Sequence, residues 1–225
     1  MISALVFDLD DTLYPESEFV HSGFAAVGDW LHGEHGVAGF TEEAGRLFAA
    51  GARGRIFDEA LQRLNVPGDP DLVATLVQVY RAHTPRLSHY PDAARAVGYF
   101  GVRCRLGLLT DGYAATQRNK VAALGIGKRF RAIVFTDDFG RECWKPSPVP
   151  FERIGAALEA RPAECVYVGD NPGKDFVAPN RLGWLTVHLH RADGEYGRIR
   201  RSDLPEDHRA QHQIGSLDEL AEVLW

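Results

Sequence analysis

The sequence predicts an α/β fold: a Rossmann-like parallel-sheet core with a small four-helix domain inserted after the first strand. Three observations carry this. Short apolar runs without strict alternation recur along the chain, as in strands buried on both faces. From about residue 90 onward these runs alternate with helical patterns, which is the order of βαβ units. Between residues 14 and 88 there is no convincing strand, only helical stretches separated by glycine and proline.

The elements follow in order. Ala4–Phe7 is the first strand. Helix 19–31 puts Phe19, Phe24, Val27 and Leu31 roughly on one stripe. Helices are also expected over 42–50 (Ala44, Leu47, Phe48), 57–64 (Phe57, Ala60, Leu61, Leu64) and 72–80 (Leu72, Val73, Leu76, Tyr80). The breaks fall at 33–39, at 51–54 and at Pro67-Gly68-Asp69-Pro70. Strands then resume at 105–109, Ala132–Phe135, 165–168 and Leu185–Leu189, with helices at 117–124 and 151–158 between them. Residues 191–213 are polar and read as a loop before a last helix over 217–224. The expected domains are therefore 1–13 with 89–225 as core and 14–88 as the helical insertion.

Composition narrows the function classes. The 225 residues carry 25 Lys+Arg against 31 Asp+Glu, and this acidic balance argues against non-specific nucleic-acid binding. An apolar fraction of 45% excludes a disordered chain, and no apolar run is long enough to span a membrane. The first twenty residues hold no Lys or Arg but contain Asp8, Asp10 and Asp11, unlike a secretory or transit peptide. Cys104, Cys143 and Cys165 are few, odd in number and widely spaced, which fits neither a disulfide framework nor a zinc cluster. A cytoplasmic protein is expected.

The sharpest chemical feature is Asp8-Leu9-Asp10-Asp11-Thr12, directly after the first strand. If the extended geometry continued, Asp8 and Asp10 would point to a common side. Two close carboxylates repel unless a cation or a shared proton intervenes, so the pair suggests magnesium. A second acidic group, Asp170 and then Asp175, follows the strand at 165–168. Thr110-Asp111-Gly112 ends another strand and offers donors to an anion. Lys145-Pro146 supplies a point charge suited to a phosphate. Taken singly, each has a plainer reading: acids at strand ends cap turns, Thr110 is a turn residue, Lys145 a surface lysine. Jointly, strand exits that supply carboxylates, a hydroxyl and an ammonium form the inventory of phosphoryl transfer.

These motifs, in this order, resemble those of the haloacid dehalogenase superfamily, specifically its metal-dependent phosphatases, and the resemblance runs over essentially the whole chain. It implies that the helical insertion is a cap domain. It implies that Asp8 is the nucleophile forming an aspartyl phosphate, and that Asp10 is the acid and then the base. Thr110, Asp111 and Lys145 would face the substrate phosphate. Mg2+ would be held by Asp8, Asp170 and the backbone carbonyl of Asp10, with Asp175 direct or through water. The substrate would be a small phosphate ester such as a sugar phosphate or nucleoside monophosphate, with no nucleic-acid or membrane partner. The second motif departs from the common pattern, since Asp111 stands where Asn is usual. Asp11 is read as structural.

Other readings fare less well. The glycines between Gly169 and Lys174 are only four apart and Asp175 replaces the hydroxyl residue, so this is no P-loop. His32/His35, His188/His190 and His208/His212 lack acids or cysteines in register for a metal. A phosphomutase would use the same Asp8. A dehalogenase would not need Asp10. A non-catalytic phosphate- or metal-binding module could keep the same pocket. Arg53-Gly54-Arg55 reads either as an arm toward an anionic substrate or as a solvated connection.

Overall fold

The computed structural model describes residues 1–225. Six strands, β1 (Ala4–Phe7), β2 (Arg105–Thr110), β3 (Ala132–Phe135), β4 (Cys165–Gly169), β5 (Leu185–Leu189) and β6 (His212–Ile214), form one parallel sheet in the order β3-β2-β1-β4-β5-β6. This is the α/β, Rossmann-like architecture expected. The apolar runs form strands because helices pack against the sheet and draw most strand side chains into the core. On one face Val6, Leu109, Tyr167 and Phe151 join Ile154, Leu158 and Trp184 in a continuous core. Helix α7 (Val149–Ala157) packs closely there because Gly107 carries no side chain: a Cβ would lie 2.9 Å from both Ile154 and Leu158.

The chain separates into two compact units, Met1–Glu16 with Leu87–Trp225, and Ser17–Arg86. The second unit is helical. It contains most of α1 (Glu16–His35), then α2 (Phe40–Ala49), α3 (Ile56–Arg63) and α4 (Pro70–Ala82). Phe24, Val27, Leu31, Phe40, Leu47, Leu61 and Leu76 bury one another in its core. Asp69 caps α4 by accepting from Leu72 N–H at 2.7 Å, with Pro70 in the first turn. Arg53 stacks over Phe48 at 4.1 Å and donates to the carbonyls of Phe48 and Ala52.

The sheet unit differs from expectation in four places. Residues 191–213 are not all loop, because His212 and Gln213 belong to β6. Their side chains are exposed and only Ile214 is buried, so main-chain pairing with β5 makes the strand and no hydrophobic pattern announces it. Helix α5 (Pro91–Phe100) precedes β2, its inward stripe drawn partly from small residues, Ala93 and Ala96 with Phe100. Helix α8 (Val177–Leu182) is too short for a periodic signal. The final helix starts as a 3-10 turn at Leu217–Glu219 before α9 (Leu220–Leu224). No helix is long and apolar enough to cross a membrane.

Candidate active site

The chemistry-bearing residues gather at the C-terminal ends of β1, β2 and β4. Strand order reverses at β1, and open α/β sheets bind ligands in the crevice that such a reversal leaves. Asp8 directly follows β1, and its N–H donates to the Val168 carbonyl at 2.9 Å. Lys145 Nζ donates to Asp8 Oδ1 at 2.6 Å, to Asp175 Oδ1 at 2.7 Å and to the Tyr167 hydroxyl at 2.9 Å. The Lys145–Pro146 bond is cis. Asp175 Oδ2 accepts from the Asn171 N–H at 2.9 Å. Gly169 makes this possible, since a Cβ there would lie 2.3 Å from Asp175 Oδ2.

Asp8, Asp170 and Asp175 are buried, and each offers a carboxylate oxygen within 4.8 Å of the others. An all-oxygen donor set of this kind suits a hard divalent cation. Burial pushes the Asp8 carboxyl up to about 7, against the pull of Lys145. Burial, then the charges of Asp8 and Asp175, push Asp170 well above the ordinary carboxylate range. Lys145 therefore offsets only part of the negative charge gathered here.

Asp10 stands apart from that trio. The chain turns immediately after β1, with Leu13 N–H donating to Leu9 O at 2.9 Å and Asp11 at φ 48°. The extended geometry that would carry Asp8 and Asp10 to one side thus stops short. The Asp10 carboxylate accepts from Lys120 Nζ at 2.7 Å, from Gln117 Nε2 at 3.1 Å and from the Tyr14 hydroxyl. Burial works against its charge, but Lys120 together with the Tyr14 and Gln117 hydrogen bonds holds its pKa below the usual value. Asp11 accepts from the N–H groups of Glu16 and Glu195 at 2.8 and 2.9 Å, a purely structural arrangement.

Thr110 ends β2 with its hydroxyl buried and without a hydrogen-bond partner. Asp111 turns its carboxylate inward instead. Oδ1 accepts from the Thr136 hydroxyl at 2.8 Å and the Lys145 N–H at 3.1 Å, and Oδ2 from Lys174 Nζ at 2.9 Å. Burial would raise its pKa, yet Lys145 and Lys174 keep it low. A cavity of about 220 Å³ opens over these groups, lined by Asp8, Asp10, Asp111, Asp170 and Lys174, with Glu16, Trp144 and Tyr196 on its wall.

Residues 2–183 match the haloacid dehalogenase-like hydrolases. The chain belongs to this family. It is 30% identical to the glyceraldehyde 3-phosphate phosphatase of Methanopyrus kandleri, over 99% of both chains. It is also 30% identical to the phosphoserine phosphatase of Thermus thermophilus, over 86% of this chain and 76% of that one. A HAD-hydrolase structure from Bacillus subtilis superposes with a TM-score of 0.72 at 18% identity, covering 99% of this chain and 98% of the other, and shows the shared fold.

In this haloacid dehalogenase-like hydrolase, sequence reasoning overlooked Gln117, Lys120 and Lys174. One signal was available. The chain has four lysines against twenty-one arginines, and three of the four contact the site's carboxylates. Gln117 and Lys120 are also three apart on α6 (Ala114–Leu124), a spacing that puts them on one face. His188, by contrast, is structural: it is buried in β5 with Nε2 at 3.1 Å from the Asp170 carbonyl.

Proposed function

We propose that this hydrolase is a Mg2+-dependent phosphatase of small phosphorylated metabolites, acting through an aspartyl phosphate on Asp8. The observation that carries the reading is the convergence of Asp8, Lys145, Asp170 and Asp175 at one sheet edge, where β2 also ends in Thr110 with its hydroxyl unpaired. Names of relatives support it, since those from Methanopyrus kandleri and Thermus thermophilus are phosphatases of small phosphate esters.

In this reading an Asp8 carboxylate oxygen forms a bond to phosphorus while the bond from phosphorus to the ester oxygen breaks. Asp10, a carboxylate at rest that takes up a proton from solvent before this step, gives that proton to the leaving oxygen. Asp10 then takes a proton from water as the water oxygen attacks phosphorus, the Asp8–phosphorus bond breaks, and inorganic phosphate departs. Thr110 and Lys145 hold phosphoryl oxygens. Asp111 reaches the phosphate only through its amide, because its carboxylate is spent on Thr136 and Lys174. Asp8, Asp170 and Asp175 would hold Mg2+, together with the Asp10 carbonyl. Once bound, the cation offsets the repulsion between the Asp8 carboxylate and the phosphate dianion. The Ser17–Arg86 unit is the cap in this scheme. A cytoplasmic location is part of it, in keeping with three free cysteines.

The test is phosphate release from para-nitrophenyl phosphate and from a panel of sugar phosphates, nucleotides and phosphoamino acids. Activity should require Mg2+, vanish with chelator and be lost in Asp8→Asn. Undiminished turnover by Asp8→Asn rejects the nucleophile.

A further inference from the structure

The acid–base residue of the proposed reaction is held by a clamp whose parts face in different directions. Asp10 Oδ1 takes two donors, the Lys120 ammonium at 2.7 Å and the Tyr14 hydroxyl. Both donors are buried, Lys120 with 3% of its surface exposed and Tyr14 with none, and neither lines the site cavity. Asp10 Oδ2 takes one donor, Gln117 Nε2 at 3.1 Å, and both Asp10 and Gln117 do line the cavity. Gln117 is itself anchored, its Nε2 donating also to the Asp111 carbonyl at 2.5 Å. One oxygen of the carboxylate is thus held by two buried donors away from the cavity lining, and the other by a residue that lines it.

We propose that Lys120 is a positioning residue that, with Tyr14 and Gln117, fixes Asp10 so that proton transfer runs through Oδ2. The proposal rests on the phosphatase reading above. In the first half-reaction the proton leaves Asp10 Oδ2 for the ester oxygen as the phosphorus–oxygen bond breaks. In the second, Oδ2 takes a proton from the attacking water, whose oxygen bonds to phosphorus as the Asp8 oxygen leaves. Lys120 donates and accepts no proton in either step. It keeps Oδ1 engaged, so the carboxylate cannot rotate its working oxygen away from the cavity.

A misplaced acid harms poor leaving groups more than good ones, because nitrophenolate departs without a proton and an alkoxide does not. The experiment compares kcat/KM for para-nitrophenyl phosphate with that for the fastest alkyl phosphate of the panel, in the wild type, Lys120→Met and Lys120→Arg. Lys120→Met removes the charge at nearly constant length, and far-ultraviolet circular dichroism with thermal melting reports whether it is folded. The expected result is a loss of about 10- to 100-fold on the alkyl ester. On the aryl ester the loss should be several-fold smaller, and Lys120→Arg should regain part of the alkyl activity. Gln117→Leu should show the same leaving-group pattern, and it substitutes if Lys120→Met does not fold. Equal losses on both esters in the folded variants, or no loss, overturn the proposal. A wild-type protein that turns over the aryl ester alone overturns it too, since Asp10 then protonates nothing. A wild-type protein that releases phosphate from neither ester overturns the phosphatase reading first, and this inference with it.

Discussion

Lys145 donates to Asp8, Asp175 and Tyr167 at once. Replacing it with Met strands two buried carboxylates. Lys145→Met should cost about 3–5 kcal/mol of stability in urea unfolding, the usual penalty for breaking a buried pair from one side. Mg2+ should return part of that loss, because the stranded carboxylates are its expected ligands. Thr110 is the opposite case. Its buried hydroxyl has no partner, so Thr110→Val should leave stability within about 1 kcal/mol of the wild type or raise it. The same change should lower kcat/KM for phosphate esters if, as proposed, the hydroxyl takes a phosphoryl oxygen as its partner. A Val variant with unchanged kcat/KM would remove Thr110 from the phosphate site. Asp8 and Asp170 are legible in the sequence as acids at apolar strand ends. Lys120 and Gln117 are not, because they sit mid-helix and their role depends on a turn after β1 that no periodicity reveals.

Among the elements, α5 is tied to its neighbours through one polar side chain. Asp92 in its first turn accepts from Arg191 at 3.0 Å, from the Ser216 hydroxyl at 3.1 Å and from the Leu217 N–H at 2.9 Å. That carboxylate ties α5 to the loop after β5 and to the turn ahead of α9. Asp92→Ala leaves buried donors unanswered and should cost about 2–3 kcal/mol, read as a fall in the urea midpoint with the slope unchanged. Strands β1 to β5 are legible because each carries a short, mostly apolar run that the sheet draws into the core. The elements that sequence reading passes over are held by other means: α5 by Asp92 and small residues, β6 by main-chain pairing at a sheet edge. A hydrophobic pattern reports burial, and neither of those forces is burial of large side chains.

For the molecule as a whole, the acid-rich site makes stability depend on pH and on cations together. Burial lifts Asp8 from 3.8 and Glu16 from 4.5 to about 7 each. Between those ordinary values and about 7 the folded protein keeps protons that the unfolded chain has released. Stability contributed by these groups therefore falls as pH rises through that window. Metal-free protein should melt at a lower temperature at pH 8 than at pH 6. In the proposed metal site Mg2+ would compete with protons for the Asp8 carboxylate, so its stabilising effect should be larger at pH 8. Thermal melts at both pH values, with Mg2+ and with chelator, check this, and a smaller Mg2+ gain at pH 8 would contradict it. The uneven use of cations has a separate outcome for anyone labelling this protein. Arginine supplies nearly all the surface positive charge, and Lys128 is the sole lysine that is openly exposed. Among the lysines, amine-directed dyes and cross-linkers will therefore attach at Lys128 first. The next lysine they reach is Lys174, whose side chain is 33% exposed at the cavity wall, so label at Lys174 is a direct reporter of whether that cavity is filled.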